Sequence, residues 1–269
     1  MLVRLAKKQV RETVGLWPAL EFRNRVKSGG NAWMNRTIED REFRRLAAGM
    51  PIIHGSVACI IPTYRRNRLL VEAVESVLAQ DRSDLIALVV DDGGGLPALP
   101  NDKRLFAVSL SRNTGIVGIA RNIGVRLSYS DYIAFLDDDN RWHPNHLSIA
   151  ISHLQEGADV VYTAIERKRQ DGSTLDVLSK PFDRRELANA PGWLDINGVV
   201  LKRSAFKPFS RMNRPVGLYP REDWEFMWRV TGRAITKHIP TVTVDYLVNQ
   251  KSYYSDWVKS QILSPGVAT

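Results

Sequence analysis

The sequence has a single cysteine, Cys59, among 269 residues. One thiol cannot close an internal disulfide, so an oxidising compartment offers this fold nothing. Cys59 lies in the apolar run Val57-Ala58-Cys59-Ile60-Ile61, which reads as a buried thiol and not as a nucleophile. No stretch approaches the ~20 consecutive apolar residues that span a bilayer. Residues 1–17 are interrupted by Arg4, Lys7, Lys8 and Arg11, so they lack the unbroken apolar core of a signal peptide. Together these absences predict a cytoplasmic protein. There is no internal repeat and no low-complexity segment. No Gly-Lys-Ser/Thr follows the glycines, which excludes a P-loop, and Gly115-x-x-Gly118 lacks the Gly-x-Gly start of a dinucleotide fingerprint.

What is present is an ordinary globular balance, 44% hydrophobic and 25% charged, long enough for one large α/β domain or two closely joined halves. The formal net charge of +9 suits nucleic acid, an anionic membrane face or a phosphorylated substrate. No surface signature of interleaved aromatic and basic residues supports nucleic acid.

Four segments are expected: a basic helical extension over 1–55, one half of the body over 56–163, a second half over 164–250, and a tail over 251–269. In the extension, Leu2, Leu5, Ala6, Val10, Val14 and Trp17 recur at helical spacing between basic residues. Such a helix either lies on anionic lipid, through residues 1–27, or packs on the protein's own body. Ser28-Gly29-Gly30-Asn31 is expected to break it, with a second helix over 38–48.

From Val57 the pattern alternates. Strands are predicted over 57–61, 85–90, 105–110, 132–136 and 160–163, and helices over 68–80, 116–127 and 144–154. Alternation of this kind implies an open, mostly parallel sheet flanked by helices, with ligands beyond the carboxyl ends of the strands. Those ends carry Pro62-Thr63-Tyr64, Asp91-Asp92 and Asp137-Asp138-Asp139, so three polar clusters should converge on one edge.

Adjacent carboxylates at residues 137–139 repel one another unless a cation neutralises them. A divalent metal held partly by substrate phosphates does this, and so would service as charges ahead of a helix opened by Pro144. Asp91-Asp92-Gly93-Gly94-Gly95 can bring backbone and carboxylate close to a base or ribose, or form a plain turn. Asn113-Thr114-Gly115 and Ala120-Arg121-Asn122 bracket a helix start that suits a diphosphate, or a simple cap with a surface arginine. Arg221-Glu222-Asp223-Trp224-Glu225 can place a proton acceptor beside a hydroxyl, or open a helix with acids. His143, His146 and His153 are too widely spaced for zinc, and His143 is expected to cap the helix at Pro144.

Taken together, Ile60-Ile61-Pro62-Thr63-Tyr64-Arg65-Arg66, Val89-Val90-Asp91-Asp92-Gly93, Asn113 to Gly124, Tyr132 to Pro144 with its three aspartates, and Glu222-Asp223 resemble the inverting family 2 glycosyltransferases of GT-A (nucleotide-diphospho-sugar transferase) fold. The resemblance covers about 57–233 and leaves the N-terminal extension outside; it implies that 56–163 is the nucleotide-sugar-binding half and 164–250 the acceptor-binding and catalytic half. It implies a divalent cation, Mg²⁺ or Mn²⁺, and a nucleotide diphosphate sugar donor, UDP first and dTDP or GDP as alternatives. It further implies that Pro62, Thr63, Tyr64 and Arg66 line the donor site and Asp92 bonds the base. Asn113, Gly115 and Arg121 would sit over the donor, and Asp138 near the ribose. Asp139 would bind the metal with Asp137 assisting, and Asp223 would be the general base, with Glu222 the second candidate. Two departures stand out: Gly93-Gly94-Gly95 replaces the usual Gly-Ser, and the stretch after Tyr246 lacks the family's late histidine.

Acceptor contacts are expected from Trp193, Asp195, Asn197 and Trp224. Lys202, Arg203, Arg211 and Arg214 would greet a phosphorylated acceptor, or form a solvated basic surface. The expected reaction moves a hexose-type sugar to a hydroxyl of a glycan, a lipid-linked acceptor or a small molecule. A catalytically silent nucleotide-sugar-binding partner of a membrane complex, or a nucleotidyltransferase, are the alternatives.

Overall fold

A computed structural model describes residues 15–189, 192–215 and 218–248. The stripe over 1–14 and the tail over 251–269 lie outside the described residues.

The first element is a 32-residue helix, α1 (Leu16–Ala47). It runs straight through Gly29 and Gly30, where the sequence predicts a break. Two glycines cost a helix interior about 1 kcal/mol each. What offsets that cost is attachment on both sides of the pair. Glu21 binds Arg214 through both carboxylate oxygens, at 2.8 and 2.9 Å. Glu39 binds Arg211 in the same way, both at 2.7 Å. Glu42 accepts the Ser111 amide at 2.9 Å. Trp17, the last member of the predicted stripe, is buried against Tyr219 and Trp224, so this end of the helix packs on the body.

Beyond a short β1 (Ile53–His54) come β2 (Val57–Thr63), α2 (Asn67–Leu78), β3 (Leu85–Asp91), β4 (Leu105–Ser109), α3 (Val117–Leu127), β5 (Ser128–Tyr129) and β6 (Tyr132–Phe135). There follow β7 (Arg141–Trp142), α4 (His146–Gln155), β8 (Val160–Lys168), β9 (Thr174–Leu178), α5 (Arg184–Leu187), β10 (Val199–Lys202), α6 (Glu222–Val230) and β11 (Thr236–Leu247). The main sheet runs β4-β3-β2-β6-β10-β8-β11-β7, with β9 on β8.

Pairing is parallel from β4 through β6, as the alternation of strand and helix predicts. It then turns mixed, because β10 enters antiparallel between β6 and β8. Three apolar residues and a lysine, preceded by a single 3-10 turn, leave no helical crossover to read, so β10 escapes a sequence search.

Residues on β2 alternate between two cores. Ala58 and Ile60 face α3 and α6, through Ile119, Ile123, Phe226 and Met227. Val57, Cys59 and Ile61 face α2 and α4, through Leu70, Val74, Leu147 and Ile151. Covered on both faces, β2 is buried at every position, which is why its sequence is a continuous apolar run. Burial pushes the Cys59 thiol pKa up, and the residue is a core side chain. Gly124 lets α3 approach β2: a Cβ there would meet Ile60 Cγ2 at 2.6 Å. Asn145, not His143, holds the N-cap position of the helix after Pro144, without a side-chain capping bond, and His143 Nε2 lies 2.9 Å from Asp245 Oδ1.

Candidate active site

The carboxyl ends of β2, β3 and β6 open onto one cleft of about 540 Å³. Pro62 and Thr63 end β2 and Tyr64 follows it, Asp92 follows β3, and Asp137, Asp138 and Asp139 follow β6. Arg66, Asn113, Gly115 and Arg121 complete its walls with Glu222 and Tyr246. A second cavity of about 380 Å³ adjoins it and contains Asp223, Trp224 and Asp195, together with Trp17, Arg214, Tyr219 and Arg221. Gly115, Val117, Arg121, Asp137, Glu222 and Tyr246 line both.

The local causes are visible. Strand β6 ends at Phe135, so the three aspartates do not continue its alternation and each finds a separate partner. Asp138 accepts the Thr63 hydroxyl at 2.6 Å, and Asp139 meets Arg66 Nη1 at 3.0 Å. Asp137 receives Arg121 Nη2 at 2.6 Å and Asn197 Nδ2 at 3.1 Å, while its amide donates to Asn197 Oδ1 at 2.7 Å. On the neighbouring strand end, Asp91 accepts the amides of Gly94 and Gly95 and folds the glycine turn back on itself. Gly93 makes that turn possible: its φ is +76°, and a Cβ there would strike the Arg112 carbonyl carbon at 2.5 Å. Asp92 accepts from Thr114 N, Thr114 Oγ1 and Gly115 N at 2.9, 2.8 and 3.0 Å, pinning the loop that opens α3.

Arg121 is buried between the acids. Burial opposes its charge, but Asp137 and then Glu222, whose Oε1 lies 3.6 Å from Nη1, outweigh this and raise its pKa. Three other carboxyls of the two cavities are raised as well. Burial lifts Asp139 to about 7, reinforced by Asp137 and Asp138. Burial also lifts Asp138 to about 6, against the opposing pull of Thr63 and Arg66. In the second cavity burial lifts Asp223 to about 7, with Glu222 and then Asp195 adding repulsion. Acids poised near neutrality in a concave site are what proton transfer or cation binding requires. Among the described residues no three acid, histidine or cysteine side chains are gathered tightly enough to hold a metal by themselves.

Two expected acceptor residues fall elsewhere. Asn197 is fully buried behind Asp137, with its backbone and side-chain amides on Asp195 Oδ1 at 2.9 and 2.6 Å, so it fixes carboxylates rather than facing the cavity. Trp193 packs on Tyr162 and Phe182, outside both linings. The basic cluster is mostly engaged internally. Arg211 and Arg214 pair with Glu39 and Glu21, Lys202 pairs with Asp159, and Arg203 donates to the carbonyls of Ser130 and Val125. Sequence reasoning missed Tyr246, Tyr219 and the pocket role of Trp17. The first two carry no spacing signal, and Trp17 sits in a segment read as an appendage.

Comparison with known proteins gives a consistent picture. Residues 58–207, more than half of the chain, match the family model described as Glycosyl transferase family 2. WcaA, assigned as a colanic acid biosynthesis glycosyl transferase of Escherichia coli, is 33% identical over 108 residues, 37% of this chain and 38% of its own. The succinoglycan biosynthesis protein ExoO of Rhizobium meliloti is 32% identical over 141 residues, 50% of this chain and 39% of its own. The chain thus spans well under half the length of these two relatives. Among solved structures, S. aureus TarS residues 1–349 in complex with UDP-GlcNAc align with TM-score 0.55 at 16% identity, covering 74% of this chain and 60% of that one. The mannosyltransferase PcManGT of Pyrobaculum calidifontis, in complex with GDP-Man and Mn²⁺, aligns with TM-score 0.53 at 17% identity, covering 88% and 74%. At that identity the likeness establishes the GT-A fold.

Proposed function

The chain belongs to glycosyl transferase family 2, and from that premise we propose that it moves a hexose-type sugar from a nucleoside diphosphate sugar to an acceptor hydroxyl, inverting the anomeric carbon. The observation that carries this reading is the junction of the two cavities. Arg121, Asp137, Glu222 and Tyr246 belong to both, with Asp139 on one side and Asp223 on the other. A donor in the larger cleft would present its anomeric carbon at that junction, and an acceptor in the smaller would present its hydroxyl.

In the donor cleft, Pro62, Thr63 and Tyr64 would flank the base. Asp92 already accepts three hydrogen bonds and retains about one acceptor site for it. Asp138 would meet the ribose. The fold neighbours hold UDP-GlcNAc and GDP-Man, so UDP sugars are the first donors to test, then GDP and dTDP sugars.

Asp139 and Asp137 are the carboxylates for Mg²⁺ or Mn²⁺. The donor set fits a hard cation: all oxygen, too sparse to retain it alone among the described residues, and with Asp139 raised by burial and then by Asp137 and Asp138, whose repulsion a cation would relieve. When bound, the ion would neutralise charge developing on the departing diphosphate. Arg66, now on Asp139, is placed to turn to a phosphate oxygen.

Asp223 takes the proton of the acceptor hydroxyl as the oxygen attacks. The new carbon–oxygen bond forms opposite the bond to the β-phosphate, which breaks with its electron pair on the nucleoside diphosphate, so the centre inverts. A carboxyl near 7 suits this role, because it is charged often enough and basic enough to accept a proton. Glu222 is the second candidate, since its carboxylate serves the Arg121 charge. Trp224 and Asp195, with Trp17 and Tyr219, would hold the acceptor.

Release of free nucleoside diphosphate from a panel of donors, with acceptor and with Mn²⁺, tests the reading. Acceptor-dependent release of one nucleotide is expected. If no donor is consumed and none shifts the melting temperature, the proposal fails.

A further inference from the structure

Helix α1 is built inside out. Its glutamates Glu21, Glu39 and Glu42 are buried at 5%, 0% and 4% exposure, while Phe22, Val26, Trp33 and Met34 stand 70%, 71%, 76% and 56% exposed. At 100° per residue, Phe22, Val26 and Trp33 fall within about 40° of one another, with Glu42 about 180° from their centre and Glu21 and Glu39 about 120°. Ordinary surface helices have the reverse polarity, with acids out and apolar residues in. The buried acids are accounted for by Arg214, Arg211 and Ser111. The described body of the protein does not cover the outward apolar stripe.

Cations lie on either side of that stripe: by the same count Arg36 falls about 60° from its centre one way, Arg23 and Arg41 about 80° the other way and Lys27 about 120°. Arg23, Lys27, Arg36 and Arg41 are exposed along the same helix. Of these, Arg36 has one loose acidic neighbour, Asp40 at 3.9 Å, and Lys27 and Arg41 have no ion pair among the described residues. Because the helix turns its three glutamates to the protein and leaves only Asp40 partly exposed, its solvent face is net cationic, on a chain whose formal charge is already +9. Apolar and aromatic side chains flanked by Lys and Arg, along about 16 Å of helix, complement a surface that is apolar beneath and anionic on top.

We propose that α1 docks the protein on an anionic phospholipid surface, with Phe22, Val26 and Trp33 entering the headgroup–acyl boundary and Arg23, Lys27, Arg36 and Arg41 contacting lipid phosphates. It shares residues 22–27 with the membrane contact expected over 1–27 but not that contact's stripe, whose one described member, Trp17, is buried in the protein. It does not depend on the glycosyl-transfer reading. None of the four cations or three apolar residues lines either cavity. With the same helix contributing Trp17 to the second cavity, docking would set that cavity near the membrane surface.

The full chain should co-sediment with vesicles of phosphatidylcholine mixed with phosphatidylglycerol and stay in solution with phosphatidylcholine alone. Rising salt should weaken binding. The triple variant Phe22→Ser, Val26→Ser, Trp33→Ser should lose at least ten-fold in partitioning at unchanged melting temperature. Neutralising Lys27→Gln or Arg41→Gln should cost about five-fold each. Equal binding of the triple variant and the parent, or no binding to anionic vesicles, overturns the proposal. So does a dimer of the parent chain that the triple variant abolishes, since the stripe would then be a contact between two copies.

Discussion

Arg121 Nη2 stands 2.6 Å from Asp137 Oδ1 with the arginine side chain only 3% exposed. Both aspartate and arginine belong to both cavities, so one ion pair stands where the two meet. That pair organises more than itself. Asn197 ties Asp137 to Asp195, and Arg121 reaches on to Glu222.

Removing the cation should therefore be felt in stability as well as in turnover. Arg121→Met keeps much of the volume but leaves Asp137 and Glu222 without their countercharge. Loss of one partner of a buried pair costs about 3–5 kcal/mol. Urea denaturation should show that loss, and nucleoside diphosphate release should be abolished. A stable, active Arg121→Met protein would contradict the role given to the pair.

Asp139→Ala should remove the part of donor-induced thermal stabilisation that depends on Mn²⁺ and leave the metal-free part in place. Stabilisation follows ligand affinity by mass action, so a thermal-shift titration with and without metal reads the loss directly. A metal-dependent shift that survives the substitution moves the cation away from Asp139.

The acids predict a pH dependence of known sign. With Asp223 near 7, the acid limb of kcat/KM should fall about ten-fold per pH unit below 7, because the base is lost on protonation. For stability, Asp138, Asp139 and Asp223 have folded pKa values above the ordinary 3.8. Between those values the folded chain binds more protons, so these groups make the protein more stable as pH falls from about 8 toward 5. His146 acts oppositely. Burial pushes it down to about 3, so the unfolded chain is protonated first and stability is lost as pH falls below 6.5. Asp223→Asn should then raise the melting temperature at pH 8 and change it little at pH 5.

How much of this was legible beforehand follows from where the information sits. Strand ends are local, so Thr63, Asp92, Asp137, Asp138 and Asp139 could be placed on one edge from hydrophobic runs alone, and the structure brings them into one cleft. The side-chain partners were not legible. That Asp92 pins Gly115, or that Asn197 stands behind Asp137, depends on contacts across 23 and 60 residues. The continuous α1 was misread because local glycine propensity pointed to a break, whereas the tethers to Arg211 and Arg214 come from nearly two hundred residues away. Those same tethers make the helix part of the site and not an appendage.

Glu21→Ala tests that attachment. It leaves the Arg214 guanidinium, 3% exposed, without its carboxylate beside the second cavity. The expected result is a loss of about 3–5 kcal/mol and a raised KM for acceptor, with the KM for donor unchanged. Equal effects on both substrates would show that α1 supports the fold without shaping the acceptor side.

The central claim is that Asp223 deprotonates the acceptor while the donor sits in the adjoining cleft. Its most direct measurement is donor affinity beside single-turnover transfer in Asp223→Asn. Donor and metal should bind as in the parent chain while transfer drops by about 10²–10⁴-fold, the usual contribution of a general base. Transfer at the parental rate with Asn at that position would contradict the account.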